Sequence, residues 1–448
     1  MLSRRRLLAA GLGAGLGAGV AGLAPSALAR GRALTRRLGN GLTVAVEVEP
    51  RAPRIGVAVA YGVGQRHDPI GYRQLAHLVE HLLFQGSAHV PEDGHFGILE
   101  AHGVTEQGGF TGGDRTIVYQ ELPKSALPVA LWLEADRMAY MLHHADPAGI
   151  AFQREVVRNE WRQRGLGDPL VSRHVYLRQL LYPPGHPYHV PVQNLERADT
   201  SDLDAIGFAE VAWFFQRYYR PERATLAIVG DVEPEAAFAL AERYFGTIRN
   251  SGQPPLEPPP NLQRLAQSIE GHIDVTGERG ALLVGWPTAP LGTVEDAALD
   301  VIATHLALPD GPLVQSLVRR GPAVEATARQ SSGELGSGFY LDVVAPGRVA
   351  ALDVARRVEE NLIDLHQRGI EPGRQARVVR ELVLELLAAA EKPAARAVHL
   401  ARRQQSLYRE IDRYRAVTPE IVAEVLRGAL PLGRRATLRV GLSRGEAA

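Results

Sequence analysis

The 448-residue chain contains no cysteine. Disulfides, thiolate metal sites and cysteine nucleophiles are therefore excluded, and any bound metal must be held by histidine and carboxylate. Neither sign of charge prevails: 50 basic and 50 acidic residues cancel. That balance gives no footing for a nucleic-acid partner or an anionic membrane surface. Beyond the N-terminal 30 residues no run is long and apolar enough to span a bilayer. No phosphate-cradling glycine loop is visible, nor any Ser-His-Asp order of a serine hydrolase. What remains is 45% hydrophobic and 22% charged. Those proportions fit a water-soluble globular protein long enough for two or more domains.

Residues 1–29 read as an export signal rather than as part of the fold. Arg4-Arg5-Arg6-Leu7-Leu8 is a basic start, an Ala/Gly/Leu run follows to Ala24, and Ala27-Leu28-Ala29 offers a cleavage site. The arginines followed by two leucines resemble a twin-arginine signal; the alternative is an ordinary secretory signal. Either route implies a periplasmic protein with no stable membrane anchor.

A proline-rich stretch, residues 251–267 with five prolines between Pro254 and Pro260, divides the remainder into 30–250 and 268–448. Such a composition favours an extended, semi-rigid linker. The two parts share a plan. Thr43 to Val48 and Ile55 to Tyr61 read as strands, matched by Ile273 to Thr276 and Ala281 to Trp286. Each part ends with a helix and then a further strand, Arg223 to Gly230 (RATLAIVG) and Arg435 to Leu442 (RATLRVGL). Strands first, helices in the middle and a last strand rejoining the sheet describe an α+β fold with mainly antiparallel sheets and helices packed on one face. Asp146-Pro147 and Thr418-Pro419 pair a capping side chain with a first-turn proline and mark two helix starts.

The chemistry concentrates in His77-Leu78-Val79-Glu80-His81. At about 100° per residue, a helix brings His77 and His81 to one side with Glu80 beside them. Two imidazoles at i and i+4 suit one zinc ion, and Glu80 is left to act on a water as general base. This reverses the HExxH order. Zinc in a hydrolase needs a third protein ligand and an open position. Glu160, on the next strongly helical segment, is the best candidate, with Glu155 next in line.

The surrounding sequence resembles the pitrilysin/insulinase family of zinc metallopeptidases, including bacterial two-domain relatives of the mitochondrial processing peptidase. The resemblance rests on NGLTVAVEVEPRAPRIGVAVAYGVGQR from Asn40, LAHLVEHLLFQGS from Leu75, FTGGDRTIVYQELP from Phe110 and LWLEADRM from Leu131. REVVRNEW from Arg154, HPY from His186 and YYRPERATLAIVGDVEP from Tyr218 continue it in the family's order. It implies two homologous α+β domains facing each other across a chamber, the second without a metal site. It also implies one zinc per chain on His77, His81 and Glu160, and peptide substrates of limited size. His305, alone on the corresponding helix Val294 to Leu306, is then a packing or surface residue.

Three positions depart from the family's pattern. Gln153 stands where a carboxylate usually supports a ligand; Gly108 stands where an Asn often precedes the Phe110-Thr111 substrate strand. The second half lacks an Arg and a Tyr that grip substrate, expected between Gly311 and Leu317 and between Gly321 and Thr327. The expectation is therefore a periplasmic zinc endopeptidase, working beside a homologous partner subunit that supplies the missing residues. The alternative is a non-catalytic or weakly active scaffold.

Overall fold

The computed structural model describes residues 33–165, 168–189, 201–252, 264–275, 277–347, 349 and 351–442. The expected export signal, and the expected linker from 253 to 263, lie outside the described residues. Among the described residues eleven strands form two sheets. The first holds β1 (Ala33–Arg37), β2 (Thr43–Val48), β3 (Ile55–Tyr61), β4 (Glu106–Thr111), β5 (Thr116–Leu122) and β6 (Ala224–Gly230), in the order β1-β2-β6-β3-β5-β4. The second holds β7 (Ile269–Ile273), β8 (Arg279–Thr288), β9 (Glu325–Ser331), β10 (Ser337–Pro346) and β11 (Ala436–Val440), in the order β7-β11-β8-β10-β9. Apart from β1 the orders are the same. In each, the last strand enters parallel to the first and antiparallel to the second. The expected repeat is thus present as topology. Its seventh strand lies upstream of the expected Ile273 to Thr276, and Thr276 itself is outside the described residues.

The helices of eight residues or more are α1 (Leu75–Leu82), α2 (Gly94–Ala101), α3 (Leu127–Tyr140), α4 (Pro147–Gln163), α5 (Pro169–Leu181), α6 (Phe208–Tyr218) and α7 (Pro234–Phe245) in the first half. The second half contributes α8 (Val294–Ala307), α9 (Ala351–Arg368), α10 (Pro372–Ala390), α11 (Pro393–Arg403), α12 (Leu407–Arg415) and α13 (Pro419–Ala429). Two sequence-level signals take effect as expected. Proline opens α4, and Thr418 caps α13 by accepting from the Ile421 amide at 3.3 Å. No described helix is long and apolar enough to cross a membrane.

The compact units do not follow the two halves of the chain. One gathers residues up to Arg158, Ser201–Pro255 and Leu384–Ile411; the other gathers Asn159–Thr200, Leu256–Val383 and everything from Asp412. Each half sends one helix into the other unit: α5 goes with the second sheet and α11 with the first. Both begin at a proline, and both close the face that the unit's other helices leave open.

In the first unit, Leu78, Leu131, Phe214 and Phe245 pack with Val44, Val57, Val59 and Leu226 on one side of the sheet. On the other side, Ala397, Leu400 and Ala401 of α11 meet Ala45, Ala58, Ala60 and Val229. These small side chains permit a close approach. A Cβ at Gly56 would come within 2.1 Å of the Pro393 carbonyl oxygen. A buried ion pair, Arg396 with Glu47, fixes α11 there. In the second unit, Leu177 and Leu181 of α5 cover Ala281, Leu283, Tyr340 and Leu438. Helices on one face describe each half; each finished unit has both faces covered, which is why β3 and β6 are buried along their whole length.

The two RATL tetrads turn out not to be equivalent. Leu226 lies in the larger cluster with Leu78, whereas Leu438 faces the crossing helix α5. The equivalent points are the glycines that follow, Gly230 and Gly441, both with positive φ (148° and 60°). Because strand side chains alternate, the one-residue offset puts like letters on opposite faces.

Candidate metal centre

α1 is short, with Leu75, Ala76, Leu78, Val79 and Leu82 buried against the sheet. That burial turns His77 and His81 outward together. Their Nε2 atoms are 3.3 Å apart. Two nitrogens each about 2.05 Å from a tetrahedral zinc stand about 3.3 Å apart, so the pair is spaced as zinc ligands would be. Glu160, two turns along α4 from Gln153, completes the group. One ligand atom from each of His77, His81 and Glu160 lies within 4.8 Å of the others. The unit division falls inside the last turns of α4, which is one continuous helix. Glu155 stays outside the group, exposed and paired with Arg158 at 3.2 Å. Glu160 also takes a bond from Arg164, 2.7 Å away.

Each imidazole is held from behind by an amide. His81 Nδ1 meets Gln153 Oε1 at 3.1 Å, and His77 Nδ1 meets Gln74 Oε1 at 3.0 Å. A carbonyl can only accept, so the tautomer with the proton on Nδ1 suits both contacts and turns the Nε2 atoms toward a metal. Two nitrogens with lone pairs converging, one carboxylate and no thiolate make a donor set that fits zinc. Gln153 was legible as a supporting position. Gln74 was not: it precedes the helix and carries no family signal in this sequence.

Glu80 is 7% exposed and lies against β4. The Thr111 hydroxyl donates to Glu80 Oε2 at 2.7 Å, and contacts Thr116 Oγ1 at 3.1 Å. Thr116 in turn meets the Tyr219 hydroxyl, which donates to the Ala76 carbonyl at 3.2 Å. Burial, with Glu80 nearby, pushes the Tyr219 phenol well up, so it remains a neutral donor. A Cβ at Gly109 would stand 3.1 Å from Glu80 Oε1, which explains a glycine at that place on the strand. Burial, then Glu106 and then Glu80, raises the Tyr119 phenol as well.

The remaining substrate-strand candidates point elsewhere. Phe110 packs with Tyr119 and the α11 side of the sheet, and Gly108 lies on that same face, opposite Glu80. Of Gly108, Phe110 and Thr111, only Thr111 contacts Glu80 through its side chain.

Asp68 sets the start of α1, its carboxylate accepting from the Gln74 amide at 2.9 Å and the Ala76 amide at 2.8 Å. Burial pushes its carboxyl up to about 7 against the pull of those two donors.

Two family models match the chain, together covering about two thirds of it. The one described as "Insulinase (Peptidase family M16)" matches residues 43–163, and "Peptidase M16 inactive domain" matches 205–382. The chain belongs to the M16, or insulinase, peptidase family. Among its M16 relatives, the zinc protease PqqE of Helicobacter pylori is 27% identical over 215 residues, 48% of this chain and 46% of that protein. The probable mitochondrial-processing peptidase subunit beta of Schizosaccharomyces pombe is 27% identical over 223 residues, 49% of this chain and 46% of that protein. The alignments thus span about half the length of these curated relatives. A protease from Helicobacter pylori superposes with a TM-score of 0.81 at 20% identity, covering 92% of this chain and 99% of that one. The M16 inactive domain from Pseudomonas fluorescens gives 0.78 at 16% identity, with 92% and 98% covered. These two likenesses concern the fold.

In the second unit α8 is the counterpart of α1, and among the described residues it takes part in no group like that of His77, His81 and Glu160. With Gly441 set against Gly230, the strand registers place Gln330 where the first sheet has Thr111. Gln330 Nε2 donates to Asp296 of α8 at 3.1 Å. Asp296 is fully buried and also takes bonds from Ser332, the Gly292 amide and, at 2.8 Å, Arg413. His305 is buried, and its Nδ1 accepts from Arg374 Nε at 2.9 Å. Burial, followed by the Arg374 charge, lowers it to about 4. His305 is a neutral packing residue, as expected from its isolation.

Proposed function

We propose that this chain is a zinc-dependent endopeptidase acting on peptides or unfolded segments. His77, His81 and Glu160 are its zinc ligands and Glu80 is its general base. The observation that carries the reading is the pair of Nε2 atoms 3.3 Å apart, each ring fixed from behind by an amide oxygen, with Glu160 alongside. Zinc held there supplies Lewis acidity that activates a water and polarises the scissile carbonyl. Glu80 accepts the proton that the attacking water loses and returns it to the leaving amine nitrogen. Thr111 donates to Oε2 and so fixes the orientation of the carboxylate that exchanges the proton.

Export by residues 1–29 to the periplasm belongs to this reading, and so does a homologous partner subunit. Neither Gly311 to Leu317 nor Gly321 to Thr327 contains the Arg or Tyr expected to grip the substrate. A peptide lying near the metal needs donors for its carbonyl oxygens, and the partner supplies them. The same two stretches favour a second reading, a scaffold subunit without turnover. Zinc content and peptide cleavage of the purified chain, alone and with a co-expressed partner, separate the two. Near-stoichiometric zinc, lost in His77→Ala and reduced in Glu160→Gln, with cleavage that rises when the partner is added, supports the peptidase. Zinc-loaded protein that never cleaves, with or without partner, leaves the scaffold.

A further inference from the structure

The zinc reading leaves Gln74 unaccounted for, and its backbone sets it apart. Its φ and ψ are 73° and 8°, in the left-handed region. Only two other described non-glycine residues, Asp93 and Gln404, share a positive φ, against twelve glycines. Glycine takes this conformation with no steric penalty, whereas a residue with a Cβ is strained by it. The turn before α1 therefore asks for glycine and holds glutamine. The strained backbone is clamped: Asp68 accepts from the Gln74 amide at 2.9 Å and from the Ala76 amide at 2.8 Å. From that fixed point the side chain reaches three residues forward to His77 Nδ1, 3.0 Å away.

We infer that Gln74 is a positioning residue for the metal centre, doing for His77 what Gln153 does for His81. The inference rests on the zinc reading above. Its physical content is specific. The Gln74 carbonyl holds the proton of His77 on Nδ1 and restricts rotation of the ring, so that Nε2 faces the neighbouring Nε2 before any ion arrives. Strain at a position that another residue would occupy freely is stored where the surrounding structure enforces it, and such places gather at functional sites. Asp68 is the enforcing group here. The centre is then supported by two neutral amides, one from the turn before α1 and one from α4. Neutral acceptors orient the rings without adding the negative charge that a carboxylate support would bring.

The strain makes the inference testable, because a structural role and a positioning role predict opposite results for glycine. Gln74→Gly relieves the backbone and removes the amide. The metal-free Gln74→Gly protein should keep or raise its thermal midpoint, while zinc affinity in a chelator competition falls about ten-fold or more. Nitrogen-15 NMR of the metal-free protein should show His77 shifting from the Nδ1–H tautomer to a mixture. Gln74→Glu, which restores an acceptor of the same reach, should recover the tautomer and bind zinc at least as tightly as the parent. Unchanged zinc affinity in Gln74→Gly would overturn the inference. So would a loss of affinity that follows a fallen thermal midpoint and is not recovered by Gln74→Glu. A parent chain that binds no zinc would instead overturn the metal reading itself.

Discussion

The same place in two sheets of one topology carries opposite solutions for a carboxylate. In the first unit Glu80 accepts from the Thr111 hydroxyl and shares its helix with two imidazoles that face each other. In the second, Asp296 is fully buried and collects an amide, a hydroxyl, a backbone N–H and a guanidinium. A carboxylate neutralised by Arg413 and enclosed by donors is part of the framework; the proposed function gives the other, set beside two imidazoles, a part in proton transfer. The two units share the strand order and a helix at this place, and differ in how the carboxylate is used.

The comparison breaks first at Glu80. Glu80→Gln should lower peptide turnover by about 10²–10⁴-fold while zinc stoichiometry stays at the parent level. Normal cleavage by that variant would remove Glu80 from the mechanism. The matching change in the second unit should do the reverse. Arg413→Met leaves Asp296 buried without its counter-ion, at a cost of about 3–5 kcal/mol in unfolding free energy, with zinc content unaffected. Denaturant unfolding measures it, and an unshifted midpoint would mean Asp296 is protonated or otherwise satisfied. Gln153→Glu sharpens the first unit: a charged partner for His81 should tighten zinc by about ten-fold in a chelator competition.

The smallest effect concerns His305. Its folded-state value, about 4, lies below its ordinary 6.5. Between those limits the unfolded chain binds the extra proton, so stability from this group is present above pH 6.5 and is lost as pH falls toward 4. His67, at about 4, and His95, at about 2, act in the same direction. His305→Gln keeps an acceptor for Arg374 and should flatten the acid side of a melting-temperature profile, by on the order of 1–3 kcal/mol. An identical profile would show that His305 titrates alike in the folded and the unfolded chain.

Much of this was legible from residue spacing. The i, i+4 histidines required a shared helix face, Asp146-Pro147 and Thr418-Pro419 announced helix starts, and β-branched runs announced β2, β3 and β6. What was illegible depends on long-range geometry. Nothing local marks α5 and α11 as helices that leave their own half, since an apolar stripe fits any open sheet face. The Arg396–Glu47 ion pair that seats α11 joins residues 349 positions apart. The RATL letters misled because strand side chains alternate, and an offset of one reverses the face. Gln74 escaped notice because a left-handed glutamine leaves no trace in composition or period.

The crossing helices also bear on how the chain acquires its fold. A ribosome releasing the first half has delivered every strand of the first sheet, yet Ala45, Ala58, Ala60 and Val229 have no cover until α11 emerges, more than 160 residues after β6 ends. Closing that loop costs chain entropy and makes the contact strongly non-local. Until then an apolar sheet face is open to the wrong partner. The first sheet therefore reaches its final form only late in synthesis. A chain exported after folding, rather than threaded through the membrane as it grows, would have α11 in place before it leaves the cytoplasm.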